Sequence, residues 1–346
     1  MLKKLFIGIV IGSFFVYLSL RGIDLDGIAA GLQRAHLFFF IPFLILMTLV
    51  QMLKSYRWGV IMKPIATVDQ FSLFAVTNVG LMAVIAIPAR VGELARPYLI
   101  STKKDISMSS ALGTIMVERV LDVLSILAVF FIVIMFTPLP QWMISGSILL
   151  LFLVLAFLGL MIFLLLKKEA SLAMISPVLN FFPERWRLKI MALADNLIDG
   201  FKIISRAQSM YQLVFLSLVI WVIDAVSMYI LFFAFDISLP LSAAFVLMPI
   251  IILGIAIPTA PGFVGNWHFF CVLGLGLFGI DKTDALTYAI VLHFLTIGII
   301  VILGLAFLPF NHFSLADIKN KFSLNSREHA PPEESHVSQQ TTGLDK

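Results

Sequence analysis

The sequence predicts an all-α, polytopic integral membrane protein with about six full spans and two hairpins broken by proline and glycine. Three observations carry this. Of 346 residues, 60% are hydrophobic and only 13% charged, against about half and a quarter in a soluble domain. The mean hydropathy is +1.04. Apolar runs long enough to cross a bilayer alternate with short polar connections along most of the chain.

In order, the expected full spans are Phe6–Leu20, Leu37–Leu53, Ser107–Phe136, Met143–Leu166, Leu213–Phe235 and Ala285–Phe310. The first, after Met-Leu-Lys-Lys, lacks a small-x-small cleavage site and reads as an uncleaved span rather than a signal peptide. Arg21–His36 reads as a polar connection. Lys54, Arg57, Trp58 and Lys63 read as a basic, aromatic interfacial edge, with Arg57 snorkelling beside Trp58. Residues 167–206 form the one sizeable polar loop, where Ile190, Leu193, Leu197, Ile198, Phe201 and Ile204 recur at helical spacing. That pattern predicts an amphipathic helix on the membrane surface.

Residues 1–310 therefore read as a single transmembrane domain. Its halves, about 1–166 and 207–310, are joined by the cytoplasmic loop 167–206. Residues 311–346 are polar, rich in Pro, Glu, Ser and Gln, and read as a disordered cytoplasmic tail. Basic clusters prefer the cytoplasmic side, which places both termini on the cytoplasmic face of the membrane.

The two hairpins are Phe71–Lys104 and Asp236–Asp281. Each contains Ile-Ala-Ile-Pro followed by a glycine-bearing break: Pro88 and Gly92 in the first, Pro258, Pro261, Gly262 and Gly265 in the second. On this topology they enter from opposite faces, the layout of an inverted repeat with broken helices. Irregular backbone at membrane depth must be buried in protein or line a wet cavity. The plainer reading of the same letters is a pair of interfacial loops.

The charged residues gather near the first break. Arg90, Glu93 and Arg96 are spaced i, i+3, i+6 and would share one helix face. Glu118 and Asp122 lie i, i+4 on the next span, with Arg119 beside them. Intramembrane charges are costly and mark function or a salt-bridge network. Arginine suits a bidentate grip on phosphate. In this reading one acid pairs with Arg90 or Arg96, and the other is open to a substrate ammonium. Asp224 lies deep in its span and is placed to relay a proton or pair with His268 or His293. Either histidine reads equally as a hydrogen-bonded packing residue. Cys271, the one cysteine, excludes an internal disulfide and reads as a small buried hydrophobe.

No Walker A, dinucleotide-binding or HExxH motif is present, so no cofactor, metal or nucleic-acid partner is expected. Transport would run on gradients or on downstream flow.

Pro88–Arg96 (PxRxGExxR), Glu118–Asp122 (ERxxD) and Pro258–Gly265 (PxxPGxxG) resemble the lysylphosphatidylglycerol synthase transmembrane-region family, also called UPF0104 or flippase-like. The likeness covers roughly residues 3–310. It implies movement of a lipid between leaflets, with Arg90, Glu93, Arg96, Glu118, Arg119 and Asp122 as the family's polar residues. No cytoplasmic aminoacyl-transfer domain is evident, so translocation is expected rather than synthesis. Relatives near glycosyltransferases keep polyprenyl-phosphate sugars open as substrates, and imply a lipid-modifying enzyme or glycosyltransferase as partner. The family's third motif often ends in glutamate where this chain has His268. That change points to a headgroup other than lysylphosphatidylglycerol. A membrane enzyme using Glu118 and Asp122 as acid and base, and a scaffold for a lipid-modifying enzyme, are the alternatives.

Overall fold

A computed structural model describes residues 2–87, 92–104, 106–257 and 259–311, with side chains from residue 8 to residue 310. Pro88, Arg90, Pro258 and the tail 312–346 lie outside the described residues, so the expectations placed on them are not addressed. The described residues belong to one unit, Met1–Asn311.

Among the described residues the regular structure is entirely helical. The helices are α1 Leu2–Leu20, α2 Leu25–Arg34, α3 Phe40–Met62, α4 Gln70–Ala86, α5 Ala95–Lys103, α6 Met108–Val133 and α7 Gln141–Leu166. They continue as α8 Lys168–Leu179, α9 Glu184–Asp199, α10 Ala207–Phe233, α11 Leu241–Ala256, α12 Asn266–Gly276 and α13 Lys282–Phe307. Four segments are long and apolar enough to cross a membrane: Leu37–Met62, α7, α10 and α13. A fifth is the pair α1 and α2, bent by 83°. Helix α6 is as long, 26 residues, or about 39 Å at 1.5 Å per residue, but carries Glu118, Arg119 and Asp122 in its interior.

Two connections hold more structure than their polarity suggested. Residues 21–36 contain α2, which turns off α1 at Gly22 (φ 73°) and is capped by the Asp24 carboxylate. Its Gly27 and Gly31 leave room for Thr283 and Thr287 of α13. The loop 167–206 holds the expected amphipathic helix as α9, preceded by α8. Helix α9 docks on α6 as well as facing outward. Gly113 and Gly200 bring the two backbones together, and Ser110 Oγ donates to the Asn196 carbonyl at 2.9 Å. Ile198, Phe201 and Ile203 are buried there, whereas Leu193 is exposed.

The hairpins open at opposite ends of the bundle. Arg57, late in α3, meets Ser217, early in α10, so the end of α3 shares a level with the start of α10. At the other end the Phe39 and Phe233 rings lie 5.7 Å apart, and the His36 amide donates to the Ala234 carbonyl. The α4–α5 hairpin follows α3 and leads into α6. The α11–α12 hairpin follows α10 and leads into α13.

Both hairpins fold back on themselves through glycine. Gly92 lies against the Ala83 carbonyl, and Gly254 lies under the Phe270 ring. Helix α4 reaches the Pro261–Phe263 turn of the second break, and its Met82 packs over Gly304 of α13. Helix α1 closes the second break from outside: Gly8 faces the Thr259 carbonyl, and Gly265 faces the Gly12 carbonyl. Gly265 has φ 97°, a conformation glycine adopts without the penalty a Cβ would bring.

Candidate functional site: a buried ion network

Four helices carry charge into the interior. Helix α3 supplies Lys54 and Arg57, α5 supplies Arg96, α6 supplies Glu118, Arg119 and Asp122, and α10 supplies Asp224. On α10, Ser217, Trp221 and Asp224 are spaced i, i+4, i+7 and so share one face.

Glu118 is the hub. Arg96 grips it through two parallel bonds, Nη1 to Oε1 at 2.9 Å and Nη2 to Oε2 at 3.0 Å. Arg119 Nη2 adds a bond to Oε1 at 2.6 Å, and Arg57 Nη2 stands 3.8 Å away. Asp122 is held by Arg57 Nη1 at 2.8 Å, Trp221 Nε1 at 3.1 Å and Arg119 Nη2 at 3.3 Å. Bidentate arginine–carboxylate pairs are the strong, directional kind. Desolvation offsets much of their attraction, so they fix geometry more surely than they add stability.

Packing positions Arg96. Its guanidinium lies 4.3 Å from the Trp58 ring centre, and Trp58 Nε1 is in turn fixed by a 3.1 Å bond to Thr114 Oγ1. The stem of Arg96 crosses Gly80 of α4, where any Cβ would overlap it. Arg96 thus ties the hairpin to α6.

Arg57 requires a correction. It does not snorkel at the interface; it is fully buried between Asp122 and Ser217, donating to Ser217 Oγ at 2.7 Å. The reason is tertiary: α6 and α10 close over this part of α3. Sequence reasoning placed Arg57 outside the site. The Lys54/Arg57 spacing on α3, facing the Ser217/Trp221/Asp224 stripe, is the signal that could have included it. Lys54 was likewise read as part of the edge. It lies 5.2 Å from the Trp221 ring centre and is the cation acting on the buried Asp224 carboxylate.

Other expectations divide. Arg96, Glu118, Arg119 and Asp122 come together as foreseen. Glu118 and Asp122 are both held by arginines. Residues 92–94 form a 3-10 turn that runs directly into α5 at Ala95. Glu93 is exposed, close enough to Arg119 to act on it electrostatically, while Arg96 is buried. Asp224 lies within electrostatic reach of Lys54; among the described residues no ion pair or hydrogen bond joins its side chain to either histidine. His268 and His293 lie together at the second break, ring centres 4.7 Å apart.

The inner network is net positive, with three guanidiniums about Glu118 and Asp122. Arg57 Nε and Nη2 and Arg96 Nε are buried without a hydrogen-bond partner. Arg119 differs: its side chain is 58% exposed, while those of the acids holding it are 2% and 7% exposed. The arrangement leaves the Arg119 side chain largely at the surface of an apolar helix while its guanidinium is held by both acids.

Fold and site together define a polytopic helical membrane protein with two opposed broken hairpins and a buried arginine–carboxylate network. Residues 5–304 match the family described as the lysylphosphatidylglycerol synthase TM region, and the chain belongs to that family. It is also similar to a UPF0104 membrane protein of Methanocaldococcus jannaschii, 24% identical over 225 residues, covering 63% of this chain and 89% of that one. No solved structure matches the chain.

Proposed function

We propose that the protein is a lipid translocase, moving a lipid with an anionic phosphate headgroup between leaflets. The observation that carries this is Arg119, whose guanidinium is held by buried acids while its side chain is largely exposed, on a helix that otherwise suits the membrane. A fixed guanidinium fork matches two phosphate oxygens, while lipid tails stay in the bilayer alongside. Family membership supports a lipid-related role. In this reading α6 is a sixth span, the opposed hairpins form an inverted repeat, and both termini face the cytoplasm of a bacterial inner membrane. Phospholipids and polyprenyl-phosphate glycolipids both fit the phosphate requirement. The acid–base alternative is weakened because each acid is already engaged by arginine.

The test is reconstitution of purified protein in vesicles carrying labelled phospholipids or polyprenyl-phosphate sugars. Faster crossing than in empty vesicles is expected for at least one of them. Equal rates for all would end the proposal.

A further inference from the structure

The second break holds a different chemistry from the arginine network. Thr259 Oγ1, Asn266 Oδ1 and Trp267 Nε1 are buried, in residues only 6%, 0% and 6% exposed, and none has a hydrogen-bond partner. An unpartnered buried polar atom costs about 1–3 kcal/mol, and three within nine residues of one break call for a reason. Asn266 is already oriented: its Nδ2 donates to the Gly254 carbonyl at 2.9 Å, which leaves Oδ1 as an acceptor. Trp267 offers only a donor, and Thr259 either role.

The histidines extend the set. The Gly265 amide points at His268 Nδ1 at 3.5 Å, a long contact that favours the neutral ring with its proton on Nε2. His293 Nε2 lies 2.7 Å from the Gly262 carbonyl, so it donates there and Nδ1 is an acceptor. Trp267 and His268 both stand against His293, ring centres 5.2 and 4.7 Å away. Among the described residues, no acidic or basic side chain bonds to any of these groups. The set is uncharged, mixes donors with acceptors, and has aromatic faces. A phosphate would leave the Asn266 and His293 acceptors unmatched, and a metal cation would leave the Trp267 donor unmatched. A hydroxyl matches both kinds.

We propose that the second break is a subsite for the hydroxyl-bearing part of the lipid headgroup, a sugar, inositol or glycerol moiety. The proposal rests on the translocase reading and narrows its substrate to polyol-bearing phospholipids or glycolipids. The phosphate belongs to the arginine network and the hydroxyls to Thr259, Asn266, Trp267, His268 and His293.

The experiment measures binding by the full chain in phosphatidylcholine nanodiscs doped with phosphatidylinositol or phosphatidylmethanol. Both carry one phosphodiester charge, and only the first has ring hydroxyls. Wild type should prefer phosphatidylinositol by about tenfold, the worth of one or two ordinary hydrogen bonds. The Thr259→Val/Trp267→Phe double variant removes two unpartnered atoms, the first at near-constant shape; phenylalanine is smaller than the buried indole, so a modest fall in melting temperature is expected and binding is read on the folded protein. Its preference should fall towards unity with phosphatidylmethanol binding unchanged. Equal binding of the two lipids by wild type, or an undiminished preference in the double variant, overturns the subsite. Competition by free myo-inositol at the same concentration overturns a lipid as the source of the hydroxyls. Failure of the parent reading looks different: neither lipid then binds, whereas failure of this inference alone leaves both bound alike.

Discussion

Buried arginines and the exposed arginine should respond differently to substitution. Arg57→Met removes the shortest bond to the buried Asp122 and leaves it Trp221 and Arg119, and breaking a buried pair costs about 3–5 kcal/mol. A clear fall in detergent melting temperature is expected; an unchanged value would contradict the placement of Arg57. Arg96→Lys keeps a charge but loses the fork on Glu118 and the stack on Trp58, so an intermediate fall is expected. The sequence made part of this legible. Glu118, Arg119 and Asp122 stand out as charges inside an apolar run, and Arg96 as a charge beside a break. Arg57 did not, because it sits near the end of its run beside Trp58, where interfacial arginines are common. Its partners, Asp122 and Ser217, lie far along the chain, and only folding brings them together.

Helix contacts give separate tests. Gly113 and Gly200 let α9 lie on α6, so Gly113→Val should overpack the contact, at about 1–3 kcal/mol. Release of α9 would be read as faster proteolysis within 180–206. Unaltered cleavage would show that the docking is not needed. The loop is also tied by Lys168, which bonds Asp195 at 2.8 Å and Asp199 at 2.7 Å. Partial burial raises the Asp199 pKa, but hydrogen bonds from Lys168 and Lys202 outweigh it and hold the carboxyl below its ordinary value. Unfolded Asp199 therefore binds a proton more readily than folded Asp199. This contribution is full above the ordinary carboxylate range and is lost as pH falls through the lowered value. Hydrogen-exchange protection in α8, taken relative to the intrinsic exchange rate at each pH, should fall on acidification, and Asp199→Asn should remove that fall. The helix itself was readable from its apolar period; its seat on α6 was not, since small-residue contacts leave no periodic signal. Helix α2 was missed for a related reason: charged Asp24, Asp26 and Arg34 masked the Leu25, Ile28, Leu32 spacing.

For the molecule as a whole, the opposed hairpins follow from order and length, and both were legible as proline–glycine breaks between apolar runs. Sidedness was read from basic clusters alone. Single cysteines at Thr67, Lys103, Asp236 and Asp281 in a Cys271→Ser background should label in two pairs with an impermeant thiol reagent. Positions 67 and 103 should react only from the cytoplasmic side, and 236 and 281 only from outside. Split labelling within a pair would break the hairpin reading. The central claim, that the network grips a phosphate headgroup, is tested most directly by Arg119→Lys, with melting temperature and vesicle translocation rate measured on the same preparation. Lysine keeps the charge and loses the fork. Because this side chain is largely exposed, the melting temperature should stay near that of wild type. Translocation should fall about 10- to 100-fold, the loss of one charge-assisted hydrogen bond worth about 1.5–3 kcal/mol. A variant that transports at the wild-type rate, or one whose loss of transport is matched by loss of folded protein, would contradict the account.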